Sequence, residues 1–322
     1  VTWTAITMPS NSQWASVTYG NGKLVTVASG SSSNRAAYSE DGITWTAATL
    51  PSSSQWQSVT YGNGKFVAVD YGSTKAAYSA DGITWTAATL PSSAYWQSVT
   101  YGNGKFVAVA WSTTAAAYSA DGITWTSSTM PSSEYWSSVT YGNGKFVAVA
   151  QGSTTAAYSE DGISWTSSTM PSSSDWQSVT YGNGKFVAVA YNSDQAAYSI
   201  DGITWTATTL PSSVSWQSVT YGNGKFVAVA EFSVSAPYSE DGITWKTELK
   251  MISQNGEDVT ADTLTVLDHT HAASVISAGT FAGQVVANAS GQTPGTMLLR
   301  NSKLVSADTN PTVNGEICWT YG

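Results

Sequence analysis

The chain is poor in most of the residues that carry chemistry. Among 322 residues there is one cysteine, Cys318, and there are two histidines, His269 and His271, and two arginines, Arg35 and Arg300. A single cysteine excludes an intrachain disulfide framework and a cysteine-rich zinc site, and it leaves the redox compartment open. Charged residues make up only 10% of the chain and sum to −9. The twelve Lys and Arg are scattered, so no basic stripe exists to neutralise phosphates, which argues against a nucleic-acid partner. No apolar run approaches the ~20 residues of a membrane-spanning helix, so membrane insertion is not expected, and no signal-peptide pattern opens the chain. The first residue is Val1 rather than Met, which reads as a fragment or a processed product.

What the chain has in quantity is repetition. Trp45, Trp85, Trp125, Trp165, Trp205 and Trp245 stand forty residues apart, and Trp56, Trp96, Trp136, Trp176 and Trp216 keep the same step. Six copies result, the first, from Trp14 to Trp45, being two residues longer. In the second copy WQSVTY (56–61), KFVAV (65–69), AAYS (76–79) and ITWT (83–86) are short, β-rich segments. Gly62-Asn63-Gly64 separates the first two and Asp81-Gly82 the last two; Asn-Gly and Asp-Gly are strong hairpin signals because both tolerate positive φ. Pro91 breaks the chain before the next copy. Each copy therefore reads as a four-stranded antiparallel meander, and the chain as an all-β, six-bladed β-propeller over residues 1–248. VTWT (1–4) is a stray copy of ITWT, either a strap that closes the ring or the end of an earlier copy. Residues 249–262 read as a polar linker. Residues 263–322 read as a small β-rich domain with strands near 263–267, 279–287, 295–300 and 315–321.

In a meander the connections alternate ends. The near-identical Asn-Gly and Asp-Gly turns share one face, and the loops that differ between copies share the other. Those loops hold Tyr71, Tyr95, Trp111, Tyr135, Tyr191 and Phe232 among Ser, Asn, Gln and Asp. Aromatics beside short polar groups are the composition of recognition surfaces, although solvent-loop drift would also vary. With Asp175, Asp194 and Glu231 these form the candidate ligand-binding rim. The tryptophans that follow the loops, Trp14, Trp56, Trp96, Trp136, Trp176 and Trp216, form either a ring that stacks on sugars or inter-blade packing. Asp70, Glu134, Asp175, Asp194 and Glu231 are the rim acids from which a glycosidase pair would have to come, and no motif selects a pair.

The recurring YSxDGITW resembles the Asp-box of sialidase-like propellers, with one residue fewer between Asp and Gly. It runs Ser39–Trp45, Ser79–Trp85, Ser119–Trp125, Ser159–Trp165, Ser199–Trp205 and Ser239–Trp245, with Ser164 in place of Thr. The resemblance implies a structural hairpin turn; a metal or catalytic ring of six Asp is the competing reading. Sialidase activity is not implied, because that family uses three arginines and the six copies contain only Arg35.

Segments DHTHAAS (268–274), GTFAGQVVAN (279–288), LLRNSKLVS (298–306) and NGEICWTYG (314–322) resemble C-terminal regions of tail-fibre and tail-tip proteins of bacteriophages and prophages. That resemblance implies an extracellular virion component, a homotrimer assembled with other tail proteins. In such trimers His-x-His motifs meet on the three-fold axis around a metal, so His269 and His271 would hold iron or another transition metal; two surface histidines near a turn are the alternative. No cofactor is otherwise required. The expectation for function is thus a non-enzymatic host-receptor-binding protein that reads a bacterial cell-surface polysaccharide or protein. A secreted lectin or adhesin, a glycan depolymerase and an inert fibre spacer are the alternatives.

Overall fold

The computed structural model describes residues 5–30, 33–231, 233 and 236–247, together with the backbone of short strands between 250 and 304. The chain divides into two compact units, Val1–Thr247 and Glu248–Gly322. All regular elements among the described residues are strands.

In the first unit, blade one comprises β1 (Trp14–Gly20), β2 (Lys23–Ala28), β3 (Ser33–Ser39) and β4 (Thr46–Ser54), paired antiparallel in that order. Blades two to four form one continuous eight-stranded sheet of β5 (Trp56–Gly62), β6 (Lys65–Ser79), β7 (Thr86–Gly102), β8 (Lys105–Ser119), β9 (Thr126–Gly142), β10 (Lys145–Gln151), β11 (Ser153–Ser159) and β12 (Thr166–Ser174). Within it, β6 and β8 carry the two middle strands of their blades without a break, while β7 and β9 each carry the last strand of one blade and the first of the next. Blade five is β13 (Trp176–Gly182), β14 (Lys185–Ala190), β15 (Ser193–Ser199) and β16 (Thr206–Val214). Blade six is β17 (Trp216–Gly222), β18 (Lys225–Ala230) and β19 (Tyr238–Ser239), with Lys246 bridged to Tyr238 in the place of a fourth strand.

The two turn motifs work differently. Asn63 and Gly64 both have positive φ, 45° and 72°, as a type I′ hairpin turn requires, and Gly62 pairs with Lys65 across it. At Asp81-Gly82 only the glycine is left-handed, with φ 75°. There the aspartate builds the turn with its side chain: Asp81 Oδ1 accepts the Ile83 and Thr84 backbone N–H and the Ser79 hydroxyl. The same set of bonds recurs around Asp41, Asp121, Asp161, Asp201 and Asp241. All six aspartates are thus committed to their own turns, which decides for the hairpin reading over the acidic ring.

The core lies between blades. Val67, Val69 and Leu90 of blade two pack with Trp96, Val99 and Phe106 of blade three, and equivalent clusters recur along the array. This explains why the second strand is apolar on both faces: each face meets a neighbouring blade. Three contacts lock each blade to the next. A Tyr ring of the following blade lies on a glycine, so closely that a Cβ on Gly102 would fall 2.0 Å from Tyr141. A serine hydroxyl accepts the next blade's valine N–H, as Ser58 does from Val99 at 3.1 Å. The Asn of the type I′ turn donates to a carbonyl beside the next Asp turn, as Asn63 does to Ala120 at 3.2 Å.

In the second unit Lys250–Ile252 pairs antiparallel with Asp258–Thr260, a hairpin inside the segment expected to be a linker. Thr265–Leu267 pairs in parallel with Gln284–Val286, and Leu299–Arg300 antiparallel with Lys303–Leu304. Val1–Thr4, Phe232, His269, His271 and the strand expected near 315–321 lie outside the described residues.

Candidate functional site

The Asn-to-carbonyl bonds hold both kinds of hairpin turn together on one face of the array. The loops that differ between copies occupy the other, and on blades two to four they pair across blade boundaries. Tyr71 is the cross-strand partner of Tyr95, Tyr95 of Trp111, and Trp111 of Tyr135. Side chains at directly paired positions meet, and here they form a ladder of rings. Centroids lie 4.7 Å apart for Tyr71–Tyr95, 6.1 Å for Tyr71–Trp111 and 5.4 Å for Trp111–Tyr135, the last pair edge-on. These spacings are those of attractive aromatic pairs. Tyr71 and Trp111 are half-buried in the ladder, whereas Tyr95 is 50% and Tyr135 47% exposed. Burial, and secondarily the neighbouring Tyr95, pushes the Tyr71 phenol up from its ordinary value, so it stays a neutral hydrogen-bond donor at physiological pH.

The ladder ends where the sequence changes. Gln151 stands in blade four where Tyr71 and Trp111 stand in blades two and three; it pairs with Tyr135 and hydrogen-bonds Gln177. On blade five Tyr191 is half-buried, and its backbone N–H donates to the Asp175 carbonyl at 2.8 Å. The Asp175 side chain and Asp194 are exposed on the same blade. Glu231 of blade six is exposed, with its backbone N–H on the Ser215 carbonyl at 3.0 Å. Of the expected rim residues, then, Tyr71, Tyr95, Trp111 and Tyr135 converge, and Asp175, Tyr191, Asp194 and Glu231 are placed on other blades.

Two expectations are corrected. Trp56, Trp96, Trp136, Trp176 and Trp216 are fully buried, and each indole N–H donates to a carbonyl four residues back, from Ser52 to Ser212, at 3.1–3.2 Å. With both ring faces covered they cannot stack on a ligand. Trp14, their counterpart in blade one, is half-buried. Asp70 is also unavailable: its carboxylate is buried, accepts the Gln55 N–H at 2.7 Å and the Ser73 hydroxyl, and so clamps the loop that presents Tyr71. Glu134, half-buried, accepts the Thr155 hydroxyl at 3.1 Å. Sequence reasoning did not single out the loop staples: Lys75 Nζ donates to the Ser53 carbonyl and Ser54 hydroxyl, and Arg35 to the Asn11 carbonyl and Ser12 hydroxyl. The signal was their identical position in successive copies.

No protein-family model and no curated protein matches the chain. Solved structures do. Virginiamycin B lyase from Staphylococcus aureus superposes with a TM-score of 0.67 at 14% identity, over 74% of this chain and 85% of that one. A streptogramin B lyase gives 0.67 at 11% identity, over 78% and 90%. YCF48 bound to D1 peptide gives 0.60 at 17% identity, over 76% and 83%. These matches overturn the expectation of a phage tail-fibre receptor-binding protein: the structures just named are lyases and YCF48 on a propeller fold, and none of them links the chain to a phage tail. They also withdraw the expectation that the protein is not an enzyme, since two of these structures are enzymes on the same fold. At such identities the likeness is one of architecture, and what it establishes is that this chain is an all-β propeller of repeated four-stranded antiparallel blades.

Proposed function

We propose that the protein binds a ring-bearing ligand across the aromatic ladder of blades two to four. The ladder itself supports this reading: four aromatic side chains from consecutive loops are in ring contact, and two of them keep about half their surface in water. Sugar rings and aromatic peptide side chains both offer the flat apolar face such a surface accepts. The Tyr71, Tyr95 and Tyr135 phenols and the surrounding serines offer polar contacts. The loop that presents Tyr71 is pinned by Asp70 and Lys75, so that end of the site is preorganised and loses little side-chain entropy on binding. The test is to screen glycan and peptide arrays with the intact chain, then measure the hits by calorimetry. Trp111→Ala should weaken binding by about 30-fold, the equivalent of ~2 kcal/mol for a central aromatic, with an unchanged melt. Tyr191→Phe on blade five should bind normally. Equal binding by wild type, Trp111→Ala and Tyr135→Ala would refute the assignment.

The lyases among the fold neighbours favour a second reading, in which the bound ligand is also transformed. Glu134 directly precedes Tyr135 on β9 and is the carboxylate nearest the ladder in sequence that is not locked in a buried clamp. Turnover of any array hit that is lost in Glu134→Gln while binding persists would assign it as the acid or base; binding without turnover in wild type would remove this reading.

A further inference from the structure

The loops of blades two to four differ from their counterparts in charge as well as in rings. A carboxylate stands beside each end of the aromatic ladder: Asp70 directly precedes Tyr71 on β6, and Glu134 directly precedes Tyr135 on β9. Where Asp70 stands, every other copy has alanine, from Ala28 to Ala230. Glu134 is also the cross-strand partner of Thr113, two residues beyond Trp111. The groups that bond these carboxylates are uncharged. Asp70 accepts the Gln55 N–H and the Ser73 hydroxyl, and Glu134 the Thr155 hydroxyl. Lys75, the one basic residue in these loops, directs its ammonium to Ser53 and Ser54, where blade one runs into blade two. Asp70 is 2% exposed, so its field passes through protein rather than water and is weakly screened.

The rings can use such a field. Tyr71 contacts Trp111 past the intervening Tyr95, and Tyr95 and Tyr135, the strand partners of Trp111 on its two sides, stand half in water. Neighbouring planes are inclined by 31°, 41° and 63° rather than stacked flat, so the electron-rich ring faces are not all consumed by one another. Elsewhere the chain makes the contact that such faces invite. Lys225 Nζ lies 4.3 Å from the centroid of the Tyr238 ring and 3.6 Å from Glu240 Oε1, an ammonium held by a ring and a carboxylate together.

We infer that the ladder selects an alkylammonium cation: the ligand carries a positively charged nitrogen that sits over Tyr95, Trp111 and Tyr135, with Asp70 and Glu134 supplying the compensating charge. The inference rests on the ladder being the binding surface and adds the chemical class of the group it takes. A methylated ammonium suits the site better than a bare one, because it gives up water at lower cost and presents methyl groups to the rings while keeping its charge.

The probes are choline and dimethylbutanol, its uncharged carbon analogue of the same shape, titrated into the full chain at low ionic strength and followed by ligand-observed NMR. Choline should bind about tenfold more tightly than the alcohol. Trp111→Ala should remove most of that preference, and so should Tyr135→Leu, whose ring is exposed enough that its loss leaves the fold intact. Glu134→Gln should weaken choline about threefold and leave the alcohol unchanged. An acetylated trimethyllysine amide in place of choline separates a peptide side chain from a free small cation as the source, the tighter of the two naming it. Equal binding of choline and the alcohol, both lost in Trp111→Ala, would overturn the ammonium preference and leave the ladder standing as a binding surface. Absence of choline binding would overturn it as well, the ladder itself then being judged by whether the array hits depend on Trp111. A choline preference that survives both Trp111→Ala and Tyr135→Leu would place the cation elsewhere and refute the inference.

Discussion

Gly102 and Gly222 occupy equivalent positions in nearly identical copies, but only one has a neighbour. An alanine Cβ at Gly102 would fall 2.0 Å from Tyr141 Cγ and 2.4 Å from two further atoms of that side chain, whereas at Gly222 nothing lies within 4 Å. Neither glycine is in the left-handed region, so the backbone accepts alanine at both. The difference between the two variants therefore isolates the blade-to-blade contact. Relief at Gly102 requires Tyr141 to move, and Tyr141 is itself held against Phe146 at 4.8 Å. Overpacking of this kind costs about 2–3 kcal/mol, which for a propeller of this size lowers Tm by roughly 5–10 °C. Gly222→Ala should be neutral or stabilising by about 0.5 kcal/mol through the unfolded chain. Thermal and urea melts read both values. Equal effects of the two substitutions, or a neutral Gly102→Ala, would refute the inter-blade role of the glycine.

Three further outcomes follow from the same geometry. Trp136→Ala empties a fully buried site and should cost about 3–5 kcal/mol with ligand contacts at Tyr135 lost only as blade four loosens, in contrast to Trp111→Ala; melts compared with calorimetry separate the two. Asp70→Ala leaves the Gln55 N–H and Ser73 hydroxyl without their acceptor and should destabilise by about 1–3 kcal/mol, with Tyr71 displaced from Tyr95 in the near-ultraviolet dichroism. The carboxylates of Asp41 and Asp241 are held down at about 2, Asp41 by the Thr44 and Ile43 N–H groups and Asp241 by the same bonds overcoming partial burial. A depressed folded-state pKa gives stability that is complete above the ordinary carboxylate value near 4 and is lost as pH falls toward 2. Tm should hold from pH 7 to about 4 and then drop, with a shallower drop in Asp241→Asn; an unchanged Tm down to pH 2 would contradict the assigned turn bonds.

The blades were legible because their signals are local. Asn63-Gly64 demands a particular turn, KFVAV demands cover on both faces, and a forty-residue period demands stacking. Gly62 was legible only in part: beside Asn63-Gly64 it reads as turn glycine, but it is needed because Tyr101, a ring of the next blade, lies on it. The same limit applies to Trp56, whose position after a variable loop suits a ligand ring as well as a core. Only the burial of both its faces decides the matter. At the site, composition marked the aromatic residues but not which of them meet. Tyr71, Tyr95, Trp111 and Tyr135 converge because the sheet continues across blades two to four, whereas Tyr191 follows a loop without that lateral pairing.

The aromatic ladder belongs to no single blade. It exists because Tyr71, Trp111 and their partners sit on copies that happen to be consecutive. The framework contacts, by comparison, are nearly the same at every boundary and would be kept if the copies were exchanged. Recombination among such similar forty-residue units could reorder the blades without disturbing a framework hydrogen bond, while dispersing the ladder or assembling another from the same side chains. If the ladder is the binding surface, its specificity is encoded in the order of the copies and changes by rearrangement alone, without a point mutation.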